Sequence, residues 1–136
     1  IRPDTQVCGV ACPLFVPFAE EGWVEGDVIK EVAKTYLAEL IHKDIDTLVL
    51  GCTHYPLLRN TISDVMGDGV RLVDSAEETA RAVAFTMQQE NLLVHNNEQG
   101  EHHFLVSDGP ESFSRIAARF FGQPLNEVEW VDVCTG

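Results

Sequence analysis

The chain has 136 residues, 45% of them hydrophobic and 23% charged, which is enough for one domain or two small lobes with a real core. Its formal net charge of −13 argues against binding to nucleic acid or to an anionic membrane surface, because both attract Lys and Arg. The sequence has no apolar run near the roughly 18 residues of a transmembrane helix, and no basic segment leading into an apolar run as in a signal peptide.

Four cysteines are present: Cys8, Cys12, Cys52 and Cys134. They are too sparse for the disulfide framework of a small secreted domain, so we expect reduced thiols in a cytoplasm. Cys8 and Cys12 lie in one apolar run, and no second pair of ligands follows, so no metal site is expected. Both are predicted to be core residues.

The first elements follow from hydrophobic patterning. Residues 6–12 form an apolar run between prolines, which predicts a buried strand, and residues 13–26 predict a loop with a helical turn. Apolar residues then recur every three or four positions from Asp27 to about His42, which predicts an amphipathic helix with Asp27 as its N-cap. The continuous apolar run of residues 48–50 is typical of a parallel strand covered on both faces.

The middle of the chain continues the alternation. A helix is predicted within residues 57–66, a strand at 69–73, and a helix over residues 76–90 that is capped by Asp74-Ser75. Strands that alternate with helices in this way predict an α/β fold with a mainly parallel sheet.

A polar, turn-rich segment at residues 94–101 suggests a boundary, so we divide the chain into residues 1–93 and 94–136. The second part contains a predicted strand at 102–107, a helix from Pro110 to about Phe121 and a last strand at 127–133. About forty residues are too few for an independent domain, so this part is predicted to complete a sheet whose other strands are absent.

The best candidate for chemistry is Gly51-Cys52-Thr53-His54, directly after the most apolar strand, because ligands of open α/β sheets bind beyond the carboxyl ends of strands. Gly51 lets the backbone turn and a substrate approach closely. A thiol at its reference pKa of about 8.5 is only about 3% ionised at neutral pH, and the imidazole of His54 is near enough in sequence to assist Cys52. The residue types alone leave a packed thiol and a reactive thiol as alternatives.

Three segments carry a resemblance to a known family: GCTHYPLL at 51–58 preceded by DTLVL, ACPLFVPFAEEG at 11–22, and VDSAEETA at 73–80. In that order and spacing they resemble the glutamate racemases. The resemblance implies a parallel-sheet sandwich of the aspartate/glutamate racemase type, with two α/β lobes around an active site that needs no cofactor. Related aspartate racemases tend to carry Glu at the position of His54, which favours glutamate as the substrate.

The resemblance also implies a role for each matching residue in a two-base racemisation. Cys52 matches the thiol that takes the α-proton from the L isomer, and His54 matches the residue that assists it. Thr53 matches a substrate-binding position. Glu20 matches best, by spacing, a glutamate that tunes the histidine, with Glu21 as the alternative.

One departure from the family is large, because the first cysteine motif, Cys-Asn-Thr, and an N-terminal Asp-Ser pair are missing. Together with a first residue other than Met, this suggests the C-terminal half of an enzyme that supplies D-glutamate for peptidoglycan. We therefore expect an incomplete fold, an inactive isolated chain and self-association, with a homo-oligomeric parent. The alternatives are an aspartate or related racemase, a non-catalytic α/β binding module, and a half-enzyme that pairs with another chain.

Overall fold

A computed structural model describes residues 4–94 and 100–133. Its internal contacts divide the chain into two units, Ile1–Leu92 and Leu93–Gly136. The elements of the first unit are α1 (Phe15–Glu21), α2 (Asp27–His42), β1 (Thr47–Leu50), a 3-10 helix (Tyr55–Leu58), α3 (Arg59–Met66), β2 (Arg71–Asp74) and α4 (Ser75–Gln89). Those of the second are β3 (Phe104–Val106), α5 (Pro110–Phe121) and β4 (Val128–Trp130).

The first unit is built on a parallel pair of strands. β1 and β2 run side by side with Leu48 opposite Leu72 and Leu50 opposite Asp74. Parallel neighbours need a crossover connection, and here the 3-10 helix and α3 supply it. The carboxyl end of β1 therefore leads directly into the crossover, which is where the candidate site lies.

The core of this unit lies where α1, α2 and the crossover meet β1. On α2, Ile29, Ala33, Leu37 and Leu40 recur at intervals of four, four and three residues, so they form one buried stripe. The other side chains of this core are Cys12, Phe15, Ala19, Leu50, Leu58 and Ile62. Full burial of each large aliphatic or aromatic side chain contributes about 1.5–3 kcal/mol to folding.

The α/β prediction is confirmed, and so are the helices from Asp27 to His42, over residues 75–89 and from Pro110 to Phe121. Within residues 57–66 the structure has the end of the 3-10 helix followed by α3. The N-cap of α2 is Gly26 rather than the predicted Asp27, which is the first helical residue.

Two expectations near the start of the chain are wrong. Residues 6–12 form no strand, because apolar composition cannot supply a pairing partner, and β1 pairs only with β2 among the residues described. Cys8 is consequently exposed rather than core, although Cys12 is buried as predicted. Half of the predicted loop at 13–26 is the helix α1, which ends where Gly22 adopts a left-handed φ of 81°.

The apolar run of β1 is also less covered than predicted. Leu50 is buried, but Val49 on the opposite face is 64% exposed within the described part of the chain. Helix α4 contributes no buried residue, and its Val83 and Phe85 are exposed. Val49, Val83 and Phe85 are therefore apolar side chains that no described residue fully covers.

The second unit is one parallel β-α-β motif. β3 pairs with β4, with Phe104 opposite Val128, and α5 is the crossover. The ring of Phe104 contacts those of Phe113 and Phe121. The predicted boundary segment 94–101 falls largely outside the described residues, as does Cys134. No helix among the described residues is both long and apolar enough to cross a bilayer.

Asp74 joins the end of β2 to α4 and α3. One carboxylate oxygen accepts a hydrogen bond of 2.8 Å from the backbone N–H of Glu77 and so caps α4, as predicted. The other oxygen accepts a hydrogen bond of 2.9 Å from Arg59 of α3. Arg59 also donates to the carbonyl of Leu72, so the guanidinium ties α3 to β2.

We expect Asp74→Ala to lower the free energy of unfolding by about 1–2 kcal/mol, because the cap of α4 is lost. Asp74→Asn keeps an acceptor for the Glu77 N–H and should lose less. Urea unfolding followed by far-ultraviolet circular dichroism measures both. Asp64→Ala removes the exposed ion pair with Lys30 and is the control, with little change expected. Equal losses in D74A and D74N would assign the effect to Arg59 rather than to the cap.

Candidate active site

The segment Gly51–His54 lies where β1 leaves the core. Leu50 is the last buried residue of the strand, and Gly51 and Thr53 are exposed directly after it. The Tyr55 N–H donates a hydrogen bond of 3.2 Å to the Cys52 carbonyl and turns the chain into the 3-10 helix. Gly51 is not in a left-handed conformation, and no atom lies within 4 Å of where its Cβ would stand. The backbone conformation does not require glycine at this position, and the space beside Gly51 is open.

His54 lies between a thiol and a carboxylate. Its Nδ1 is 3.9 Å from Cys52 Sγ and 3.5 Å from Thr53 Oγ1. Its Nε2 is 3.5 Å from Glu20 Oε1, which is carried on α1. A proton on Nε2 is favoured by the neighbouring carboxylate and leaves Nδ1 as an acceptor within reach of both the Cys52 thiol and the Thr53 hydroxyl. The arrangement can therefore move a proton between Cys52 and the imidazole.

The site is accessible from solvent. Cys52 is half-buried, and the side chains of His54 and Glu20 are 26% and 44% exposed. Water screens the interaction between a carboxylate and an imidazole at this exposure, so the contact contributes little to stability.

Four of the five residues singled out from the sequence come together here, and Gly51 adjoins them. Glu20 faces His54, whereas Glu21 is exposed on the helix surface. Successive residues of an α-helix are about 100° apart around its axis, so only one of these two glutamates can share the face of α1 that meets His54.

Tyr55 is a residue of this site that sequence reasoning missed. Its hydroxyl donates a hydrogen bond of 3.3 Å to the carbonyl of Cys12, and its ring packs edge-to-face on Phe15 with centroids 5.4 Å apart. Burial, with the nearby Cys12 and Cys52 thiols, raises the pKa of Tyr55, so the phenol stays a donor at neutral pH. No sequence signal indicates this bond, because its partners are 43 residues apart.

The other described thiols differ in character. Cys8 is exposed, and burial raises the pKa of Cys12, so that this thiol stays protonated in the core. Across residues 4–94 and 100–133 no three His, Cys, Asp or Glu side chains cluster as metal ligands would.

Known proteins are similar to this chain along nearly its whole length. No family model matches the chain. A glutamate racemase of Geobacter metallireducens is 51% identical over 133 residues, which are 98% of this chain and 49% of that protein. The chain is homologous to glutamate racemases. A second racemase, from Syntrophus aciditrophicus, is 43% identical over the same share of the chain.

The solved racemase structures show the same fold. The glutamate racemase of Francisella tularensis, solved in complex with D-glutamate, superposes with a TM-score of 0.86 at 30% identity. The match covers 99% of this chain and 50% of that racemase chain. The chain thus spans about half the length of the racemases it matches.

We expect iodoacetamide to label Cys8 and Cys52 of the folded chain and to spare Cys12, because Cys12 is buried and its raised pKa keeps it protonated. Peptide mass spectrometry reads each thiol separately, and labelling in urea should include Cys12. Labelling of Cys12 as fast as Cys8 in the folded chain would contradict this placement.

The raised pKa of Cys12 also makes the stability of the fold depend on pH. The contribution of protonated Cys12 to the free energy of unfolding is complete below the pKa that this thiol has in the unfolded chain. It is lost as the pH rises through the higher pKa that the thiol has in the folded chain.

Proposed function

We propose that this chain supplies one of the two acid/base thiols of a cofactor-independent enzyme that interconverts L- and D-glutamate. The observation that carries the proposal is the Glu20–His54–Cys52 arrangement, in a chain homologous to glutamate racemases. The Francisella tularensis structure holds D-glutamate, which supports glutamate as the substrate.

The proposed reaction begins when the Cys52 proton passes to His54 Nδ1, which leaves a thiolate. The thiolate removes the α-proton of L-glutamate, and a second thiol, from polypeptide outside this chain, protonates the opposite face of the α-carbon. Glu20 stabilises the imidazolium at Nε2. Thr53 would hold the α-carboxylate through its hydroxyl and backbone N–H, and the open side of Gly51 would admit the substrate.

The same proposal implies a division of labour in the chain. Residues 1–93 would form part of the lobe that carries Cys52, and residues 94–136 would return to complete the other lobe. The second thiol is assigned to polypeptide outside this chain because the Cys-Asn-Thr motif is absent from the 136 residues and Cys12 is buried. The isolated chain should therefore be inactive.

The setting of the parent enzyme is a further part of the proposal. Such an enzyme would act in the cytoplasm and supply D-glutamate for peptidoglycan. It would be a homo-oligomer, and the exposed apolar side chains Val49, Val83 and Phe85 should make the isolated chain self-associate.

We expect a chimera in which this chain replaces the matched segment of the Geobacter metallireducens racemase to racemise glutamate. Cys52→Ala should lower its kcat/KM by at least about 10²–10⁴-fold, because one of two proton carriers is lost. Circular dichroism of the product and α-proton exchange in heavy water measure this, and Cys8→Ala is the control.

The isolated chain, measured in the same assays, should neither racemise L-glutamate nor exchange its α-proton. Full activity of the C52A chimera would overturn the proposal. Faster turnover of aspartate than of glutamate would make the chain part of an aspartate racemase. Glutamate binding by the chimera without exchange would identify a binding module.

We expect Glu20→Gln in the chimera to lower kcat by about three- to tenfold with little change in KM, because Glu20 acts through His54 in the proposed mechanism. Glu21→Gln is the matched control and should leave both constants unchanged. Steady-state kinetics in both directions supply the values. A larger loss in E21Q than in E20Q would mean that the neighbouring glutamate orients the imidazole.

A further inference from the structure

Two segments distant in sequence supply the proton-transfer groups. Cys52 and His54 follow β1, whereas Glu20 is on α1, whose first turn begins next to Cys12. His54 Nε2 and Glu20 Oε1 stay within 3.5 Å only if the two segments keep a fixed distance. Some contact outside the pair must set that distance, because a single partly exposed contact between an imidazole and a carboxylate is too weak to do so.

Tyr55 makes such a contact. It follows His54 directly, and its hydroxyl donates to the Cys12 carbonyl, which also accepts the Phe15 N–H at the start of α1. Its ring packs edge-to-face on Phe15, a buried residue of that helix. A tyrosine offers both the apolar ring and the donor that this place needs.

We propose that Tyr55 is a positioning residue, whose hydroxyl bond to the Cys12 carbonyl holds His54 in register between Cys52 and Glu20. This inference rests on the proposed function of Cys52 and His54. Tyr55 acts through these residues and does not itself exchange a proton with the substrate. Removal of its hydroxyl should leave the aromatic packing in place and loosen the contact of the imidazole with the thiol.

The test uses the 136-residue chain and its exposed Cys8 as an internal standard. The rate of alkylation of Cys52 by iodoacetamide, divided by that of Cys8, is measured from about pH 6 to about pH 9. We expect Tyr55→Phe to lower this ratio at neutral pH by about threefold, the effect of one ordinary hydrogen bond. Tyr36→Phe should leave it unchanged, because Tyr36 packs on the same Phe15 but lies on α2.

His54→Asn separates the inference from the function beneath it. If H54N lowers the ratio and Y55F does not, Tyr55 has no positioning role and the proposed function stands. If H54N leaves the ratio unchanged, the imidazole does not assist Cys52, and both proposals are wrong.

A second variant covers the possibility that Y55F opens the fold, which labelling of Cys12 would reveal. 3,5-Difluorotyrosine at position 55 keeps the shape of the side chain but ionises at lower pH, and the phenolate cannot donate to the Cys12 carbonyl. Above the pH at which the fluorinated phenol ionises, the ratio of Cys52 to Cys8 alkylation should fall below that of the unmodified chain. A pH profile that coincides with the unmodified chain would overturn the inference, and the same substitution at Tyr36 is the control.

Discussion

The burial of Phe15 is the interaction on which the arrangement of the first unit depends. Its side chain is 1% exposed and packs edge-to-face on Tyr36 of α2 and on Tyr55 of the 3-10 helix, with centroids 5.5 and 5.4 Å away. Burial of such a side chain contributes about 1.5–3 kcal/mol, and aromatic pairs add about 0.5–1.5 kcal/mol beyond their area. One side chain thus joins α1, α2 and the crossover, and thereby brings Glu20 to His54.

Buried polar groups limit the packing arrangements that the first unit can adopt, because each needs a hydrogen-bond partner. Thr61 of α3 is 1% exposed and donates a hydrogen bond of 2.6 Å to the Val24 carbonyl ahead of α2, and Asp74 bonds both Arg59 and the first turn of α4. In the part of the chain that the structure describes, no buried side-chain nitrogen or oxygen lacks a partner. Because an unpaired buried polar atom costs about 1–3 kcal/mol, these bonds favour one packing over its competitors.

Part of the first unit carries apolar side chains that no described residue fully covers. Parallel sheets are normally covered on both faces, yet Val49 of β1 is largely exposed and α4 buries no side chain among the described residues. Solvated apolar surface of this kind makes no favourable contribution to folding. The stability of the first unit therefore comes from the opposite face, where α1, α2 and α3 pack.

Local sequence patterns determined most of the helices, although not α1. The apolar stripe of α2, the Asp74 cap and the alternation of strand and helix are properties of short windows, so the sequence predicted those helices and the α/β class. The motif at Gly51–His54 is likewise visible in the sequence, because its Cys and His are only two residues apart at the end of a predicted strand.

Tertiary structure decided the contacts between residues that are far apart in the sequence. Residues 6–12 have the composition of a buried strand, but a strand exists only where a neighbour accepts and donates its backbone hydrogen bonds, and Cys8 is exposed without one. Spacing left Glu20 and Glu21 as alternatives until the rotation of α1 brought one of them to His54. The bond from Tyr55 to Cys12 spans 43 residues, so only the packing of Phe15 between these segments makes it possible.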